Sequence, residues 1–507
     1  MSVLRWLTSL TLLSLGLACG GGSGNNGGGG NTPSLSISPP SATVIAGGSP
    51  VNFTATFANA TGTATWNLTG PGTMSVDPSN GNSASYTPPA SVASATSATL
   101  TATSGTLTAS ATITVNPPPT ITVAGKVTDL AKKGVPSATV AIGSQHATTD
   151  AAGAFSIAGV TAPYDAIVIV PDSGRNAVIV FKGLTRADPT LLAFPLSGSP
   201  PPSSGTVSGS VSGGDALPAP SDRTAVAWGS PEATSGTTFT SNPWSMTLHW
   251  DASPTATTGN VHALQWTPTT GIPTAYKGYG VASGLSVSNG TTTSGVAIAM
   301  SAPVASTVGG SVSVPAGMTL VQKSLTIDFA DGASFSVGAD ATAATSFSYA
   351  VPSGIGSTAS VSAQGLISGT AASLTRSRGL AAGSTGSTVN LLSPAMQSTP
   401  VVNATGISTS TDFTWTPLAG AVHLVGIGPD TSPTAPIYYF FTTGTTTRIP
   451  DLGSLGVVLP ATTVYDWAII AVGPWASIDE FAGGSVLTPN GNTLNTSFTA
   501  ERSFTTQ

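Results

Sequence analysis

Few residues in this chain have the types and spacing that chemistry needs. There is one cysteine in 507 residues, Cys19, placed between the apolar run Leu7 to Ala18 and a polyglycine stretch, so no disulfide can form within the chain. Four histidines, His146, His249, His262 and His423, stand apart, and none lies two to four residues from another, so zinc spacing is absent. No serine has the flanking glycines of a nucleophile elbow. Asp328-Phe-Ala-Asp331-Gly332 is the nearest approach to a calcium loop, but it lacks alternating oxygen ligands and reads as a hairpin turn. Gly22-Ser-Gly24-Asn-Asn-Gly27 matches a dinucleotide-binding pattern, yet it neither follows a strand nor opens a helix, and is read as linker. No catalytic residue, cofactor site or metal site is expected.

Two aromatic clusters stand out. In Trp244-Ser-Met246-Thr-Leu248-His-Trp250 strict alternation puts both tryptophans, the methionine and the leucine on one strand face and His249 on the other. That face is expected to be core, with an exposed sugar-stacking platform as its rival. The long connection from Gly473 to Asn495, with Trp475, Asp479, Glu480 and Phe481, is expected to be a local contact surface.

The elements that carry these residues are strands. Charged residues are 7 % of the chain, against about 25 % in ordinary globular proteins, so hydroxyls and amides must clothe the surface. With 14 basic and 20 acidic residues the net charge is -6, which leaves no basic stripe for nucleic acid. Hydrophobic residues make up 40 % and recur with period two, as in Ala98 to Ala102 and Ala111 to Val115, so the chain should fold rather than remain disordered. Sixty glycines and 39 prolines punctuate the strands. The fold class is all-β, a tandem array of small β-sandwich domains. Pro117 to Pro119 and Pro200 to Pro202 are read as stiff breaks, which predicts domains that unfold independently.

The N-terminus, with Arg5 ahead of the apolar run and Cys19 behind it, resembles a bacterial lipoprotein signal; Gly16 stands where that family prefers leucine, with the leucine at Leu15. The run is too short to cross a bilayer. The resemblance implies cleavage before Cys19, lipidation of that residue and anchoring in the outer membrane. Residues 1–18 are then the signal peptide and 19–33 the lipidated cysteine and its flexible tether. Ala64-Thr-Trp66-Asn-Leu68 and Ser85-Tyr86-Thr-Pro88-Pro89 make 34–116 similar to a bacterial immunoglobulin-like domain. Val123-Ala-Gly125-Lys-Val127-Thr-Asp129 and Thr148-Thr-Asp150-Ala-Ala-Gly153-Ala-Phe155-Ser-Ile157 make 120–198 similar to a carboxypeptidase regulatory-like, prealbumin-type sandwich, which is not a peptidase. Segments 205–303 and 306–395 are read as related sandwiches, opened by Gly209-Ser-Val211 and Gly310-Ser-Val312 as Gly125-Lys-Val127 opens the first. Phe413-Thr-Trp415, Val422 to Ile427 and Tyr465, in the tyrosine-corner position, make 400–507 similar to a fibronectin type III domain.

The function expected is that of a membrane-anchored binding, adhesive or envelope-structural lipoprotein, its partners being the membrane through the lipid and a protein or carbohydrate ligand. An exported polysaccharide-processing or hydrolytic enzyme with its site in 205–395 is the alternative, and a subunit of a larger envelope complex is a third reading.

Overall fold

The computed structural model describes residues 32–130, 132–172, 174–193, 203–217, 222–250, 254–268, 271–367, 369–484 and 491–507. Cys19, the signal and all but the last two residues of the tether lie outside them. The chain divides into two compact units, Met1–Pro119 and Thr120–Gln507.

In the first unit two four-stranded sheets face each other. One runs Ser34–Ser38, Val51–Ala58, Ser83–Thr87, Thr73–Val76; the other runs Ser41–Ile45, Leu107–Asn116, Thr96–Ser104, Thr65–Thr69. Alternation sends Phe53, Tyr86, Leu100 and Ile113 inward, all fully buried, and leaves serine and threonine outside. Trp66 anchors the core and donates its Nε1–H to the Gly81 carbonyl at 2.9 Å. The Tyr86 hydroxyl donates to Pro71 O at 2.6 Å, and Gly72, at φ 103°, leaves room for that ring.

The second unit repeats one seven-stranded topology three times, over 120–193, 203–299 and 304–390. In each copy the first strand lies between the fourth and the seventh, while the third, second, fifth and sixth make the facing sheet. The first strands are Thr120–Thr128, Ser203–Ser212 and Val304–Ser313. The last, Thr190–Leu192, Thr292–Ala299 and Ser387–Asn390, pair with them in parallel. The recurring glycine marks that pairing: a Cβ on Gly125, Gly209 or Gly310 would collide with the carbonyl oxygen of Pro189, Val296 or Ser387.

Segment 396–507 sets Met396–Thr399, Phe413–Thr416 and Thr446–Thr447 against a sheet of Ile437–Thr442, Val422–Pro429, Val464–Gly473 and the last two strands, Thr493–Thr499 and Arg502–Thr506. Trp415, Phe413 and Trp467 fill its core. Tyr465 is fully buried with its ring stacked on Phe504 at 5.7 Å, but its hydroxyl has no hydrogen-bond partner, so it makes no tyrosine-corner bond.

The expectation of independent beads is corrected here. Ile437–Thr442 pairs in parallel with Arg175–Leu184, and Thr493–Thr499 pairs antiparallel with Ala371–Leu380, so one 14-stranded sheet runs through three of the four segments. The physical reason is edge protection. A sandwich with an open edge strand exposes a row of unpaired amides and carbonyls, and here the last segment satisfies two such edges. A third edge, Ser334–Asp340, donates Ala339 N–H to Gly271 O of the second copy at 3.0 Å.

Candidate interaction surface

Several titratable residues, Asp331, His262, Lys323 and His423 among them, are engaged inside the molecule. Asp331 sits in the turn after Thr319–Phe329, as its hairpin reading requires, and its carboxylate reaches into the second copy. There it accepts from His262 Nε2 and Asn260 Nδ2, both at 2.8 Å. Gly229 leaves the space the carboxylate occupies. Burial works to raise the Asp331 pKa, and the hydrogen bonds from Asn260 and His262 outweigh it and hold the pKa low. The other ring nitrogen of His262, Nδ1, is hydrogen-bonded with the Tyr279 hydroxyl at 2.9 Å. Burial, then the Asp331 charge, pushes Tyr279 up to about 12. With its hydroxyl kept neutral and its histidine 6 % exposed, the cluster is a joint between two sandwiches.

Lys323 is fully buried, and its ammonium is satisfied by Thr342 O at 2.9 Å, Ala344 O at 2.7 Å and the Asp340 carboxylate at 3.1 Å. Burial alone would raise Asp340, but hydrogen bonds from Thr342, Lys323 and Tyr349 bring it to about 2. His423 is also buried; Nε2 accepts from Leu418 N–H at 3.1 Å, which leaves Nδ1 as the donor to Thr442 O at 3.3 Å. Burial drives its pKa down to about 4. His146 and His249 are exposed. Trp244, Met246, Leu248 and Trp250 are at most 4 % exposed in one core cluster, which rules out the sugar-stacking reading of that strand.

The described part of the Gly473 to Asn495 connection, through Gly484, is not a free contact surface. Trp475, Ile478 and Phe481 are buried in the core of 120–193. The Asp479 carboxylate accepts from Thr185 N at 2.9 Å, from Arg186 N at 3.2 Å and from the Thr185 hydroxyl. Aromatic residues on a long connection signal burial as readily as contact, and only the neighbouring segment decides between them. A recess of about 580 Å³ beside Trp475 is lined by His423, Ser477 and Asp479, all of whose side chains already bond within the protein.

Among the described residues, one face of the long sheet presents exposed apolar side chains. Paired positions run Leu366, Ala372, Phe498, Ile470, Leu424 and Phe441 across adjacent strands. Phe441 is buried in the core of 120–193, whereas Leu366, Phe498 and Ile470 are 37, 46 and 39 % exposed. Beside this row runs a second of Gln364, Leu374, Thr496, Val472 and Val422. Neither row holds an ionisable group, and in the next row Arg376 is neutralised by Asp328 at 2.7 Å. An apolar row shared among non-consecutive strands has no contiguous sequence signal, so sequence reasoning missed it. Each strand shows the outward period-two positions, but register alone aligns them.

No family model and no curated protein matches this chain. Among solved structures, the Bacillus anthracis TIE protein is 11 % identical, with 72 % of this chain and 75 % of that one covered, at a TM-score of 0.22. The pilus adhesin SpaC from Lactobacillus rhamnosus GG is 11 % identical over 79 % of this chain and 55 % of its own, at 0.16. Two B repeat units of the collagen binding protein of Staphylococcus aureus are 10 % identical over 76 % of this chain and all of theirs, at 0.12. At such scores the likeness carries no argument about what this chain binds, and the all-β architecture rests on its own strands.

Proposed function

We propose that the protein is a non-enzymatic, lipid-anchored envelope protein whose sandwiches form a scaffold for binding through the open sheet face. The observation that carries this is the uncharged apolar row of Leu366, Phe498 and Ile470 on a sheet built from separate segments of the chain. Contiguous exposed apolar surface rimmed by polar residues marks interaction sites. Support for the anchor comes from Cys19 and the apolar run before it, and the prealbumin-type and fibronectin-type resemblances of 120–198 and 400–507 fit modules that bind rather than catalyse.

Two measurements test the proposal. Cell fractionation should find the protein with membranes and Cys19→Ser released; an unacylated N-terminus by intact mass overturns the anchor. The soluble chain lacking residues 1–19 should be retained on isolated envelopes, and the Phe498→Asp, Ile470→Asp variant should be lost. Equal retention of both overturns the assignment of binding to this face.

A further inference from the structure

We infer that the partner of the open face is a second copy of this chain, docked face to face through the Leu366, Phe498 and Ile470 row. The inference rests on the binding role proposed above and names its occupant. First, the row is continuous with an interface the chain already makes: Leu424 packs against the core of 120–193, and Phe441 and Val422 belong to it. What covers this face at its closed end is therefore apolar surface from a β-sandwich of the same chain. Second, the charge balance favours a copy. The chain carries a net charge of -6, which opposes association through most of its surface, but the two rows hold no ionisable group. A two-fold contact sets each row against itself, neutral on neutral. Two such sheet faces pack about 10 Å apart with strands inclined by about 30°.

Third, the area sets the strength. Five strands at about 4.8 Å spacing and two rows about 7 Å apart give roughly 300 Å² per copy. That is less than half the ~800 Å² per partner of a standard stable interface. The pairing is therefore weak in solution, and anchoring two copies in one membrane raises their effective concentration.

Sedimentation equilibrium of the chain lacking residues 1–19, from about 10 µM to about 1 mM, reads this directly. The weight-average mass should rise toward that of a dimer at the upper end. Phe498→Asp and, separately, Leu366→Asp should hold it at the monomer, while Ile45→Asp, at an exposed apolar site of the first unit, should leave the rise intact. A monomeric mass throughout, or a dimer that survives both aspartates, overturns the inference. Envelopes from cells lacking the protein separate it from the broader reading. Loss of retention there supports the second copy; undiminished retention through the same face overturns the copy and keeps a binding role with another partner.

Discussion

Gly209 and Val296 are paired residues of two parallel strands, and the Val296 carbonyl oxygen occupies the place a Cβ on Gly209 would take. Gly125 stands in the same relation to Pro189 O and Gly310 to Ser387 O. The repeated glycine is thus a steric requirement of the closing strand, which hydrogen-bonds from Lys126 N to Pro189 O at 2.9 Å in the first copy. Gly209→Ala should destabilise the second unit by about 1–3 kcal/mol, the usual range for forcing a methyl group into a packed site. Chemical denaturation of the variant checks this. Alanine at Gly290, where nothing lies within 4 Å, meets no such clash; its cost comes from φ 73° alone and should be smaller.

The shared sheet predicts how the protein melts. Three segments of the second unit share one sheet and the fourth, 203–299, shares core residues with 304–390, so 120–507 should unfold in one cooperative transition, separate from that of 32–119. Scanning calorimetry should resolve two transitions for the chain. Five would restore the independent beads that the proline breaks imply. Since no disulfide can form, reductant should move neither transition.

Acid should weaken the second unit through His423. Its folded pKa of about 4 lies below the unfolded value of about 6.5, so the unfolded chain binds the proton first. The stability contributed by the neutral buried ring is complete above about pH 6.5 and is lost as pH falls toward 4. The loss is about 3 kcal/mol over that window. In His423→Gln the amide oxygen can accept from Leu418 N–H and its NH₂ can donate to Thr442 O, so the pH slope should flatten between 6.5 and 4 with the fold retained. An unchanged slope in thermal unfolding against pH would falsify the assignment to His423.

How much of this was legible in the amino-acid order follows from where the information lies. Alternation in Trp244 to Trp250 sufficed to place four side chains in a core, because side chains alternate faces along any strand and a water-facing row of tryptophan and leucine is costly. The Gly-x-Val openings at Gly125, Gly209 and Gly310 reported a local steric need, and they marked the repeats that share one topology. The joining of the segments was not readable. Parallel pairing of Ile437–Thr442 with Arg175–Leu184 is made by backbone groups that every residue carries, so no side chain encodes the partner. Trp475 and Phe481 looked like a contact loop until the core of 120–193 was set beneath them. Leu366, Phe498 and Ile470 became one surface only when register across non-consecutive strands aligned them, because a row perpendicular to the chain exists only in the sheet.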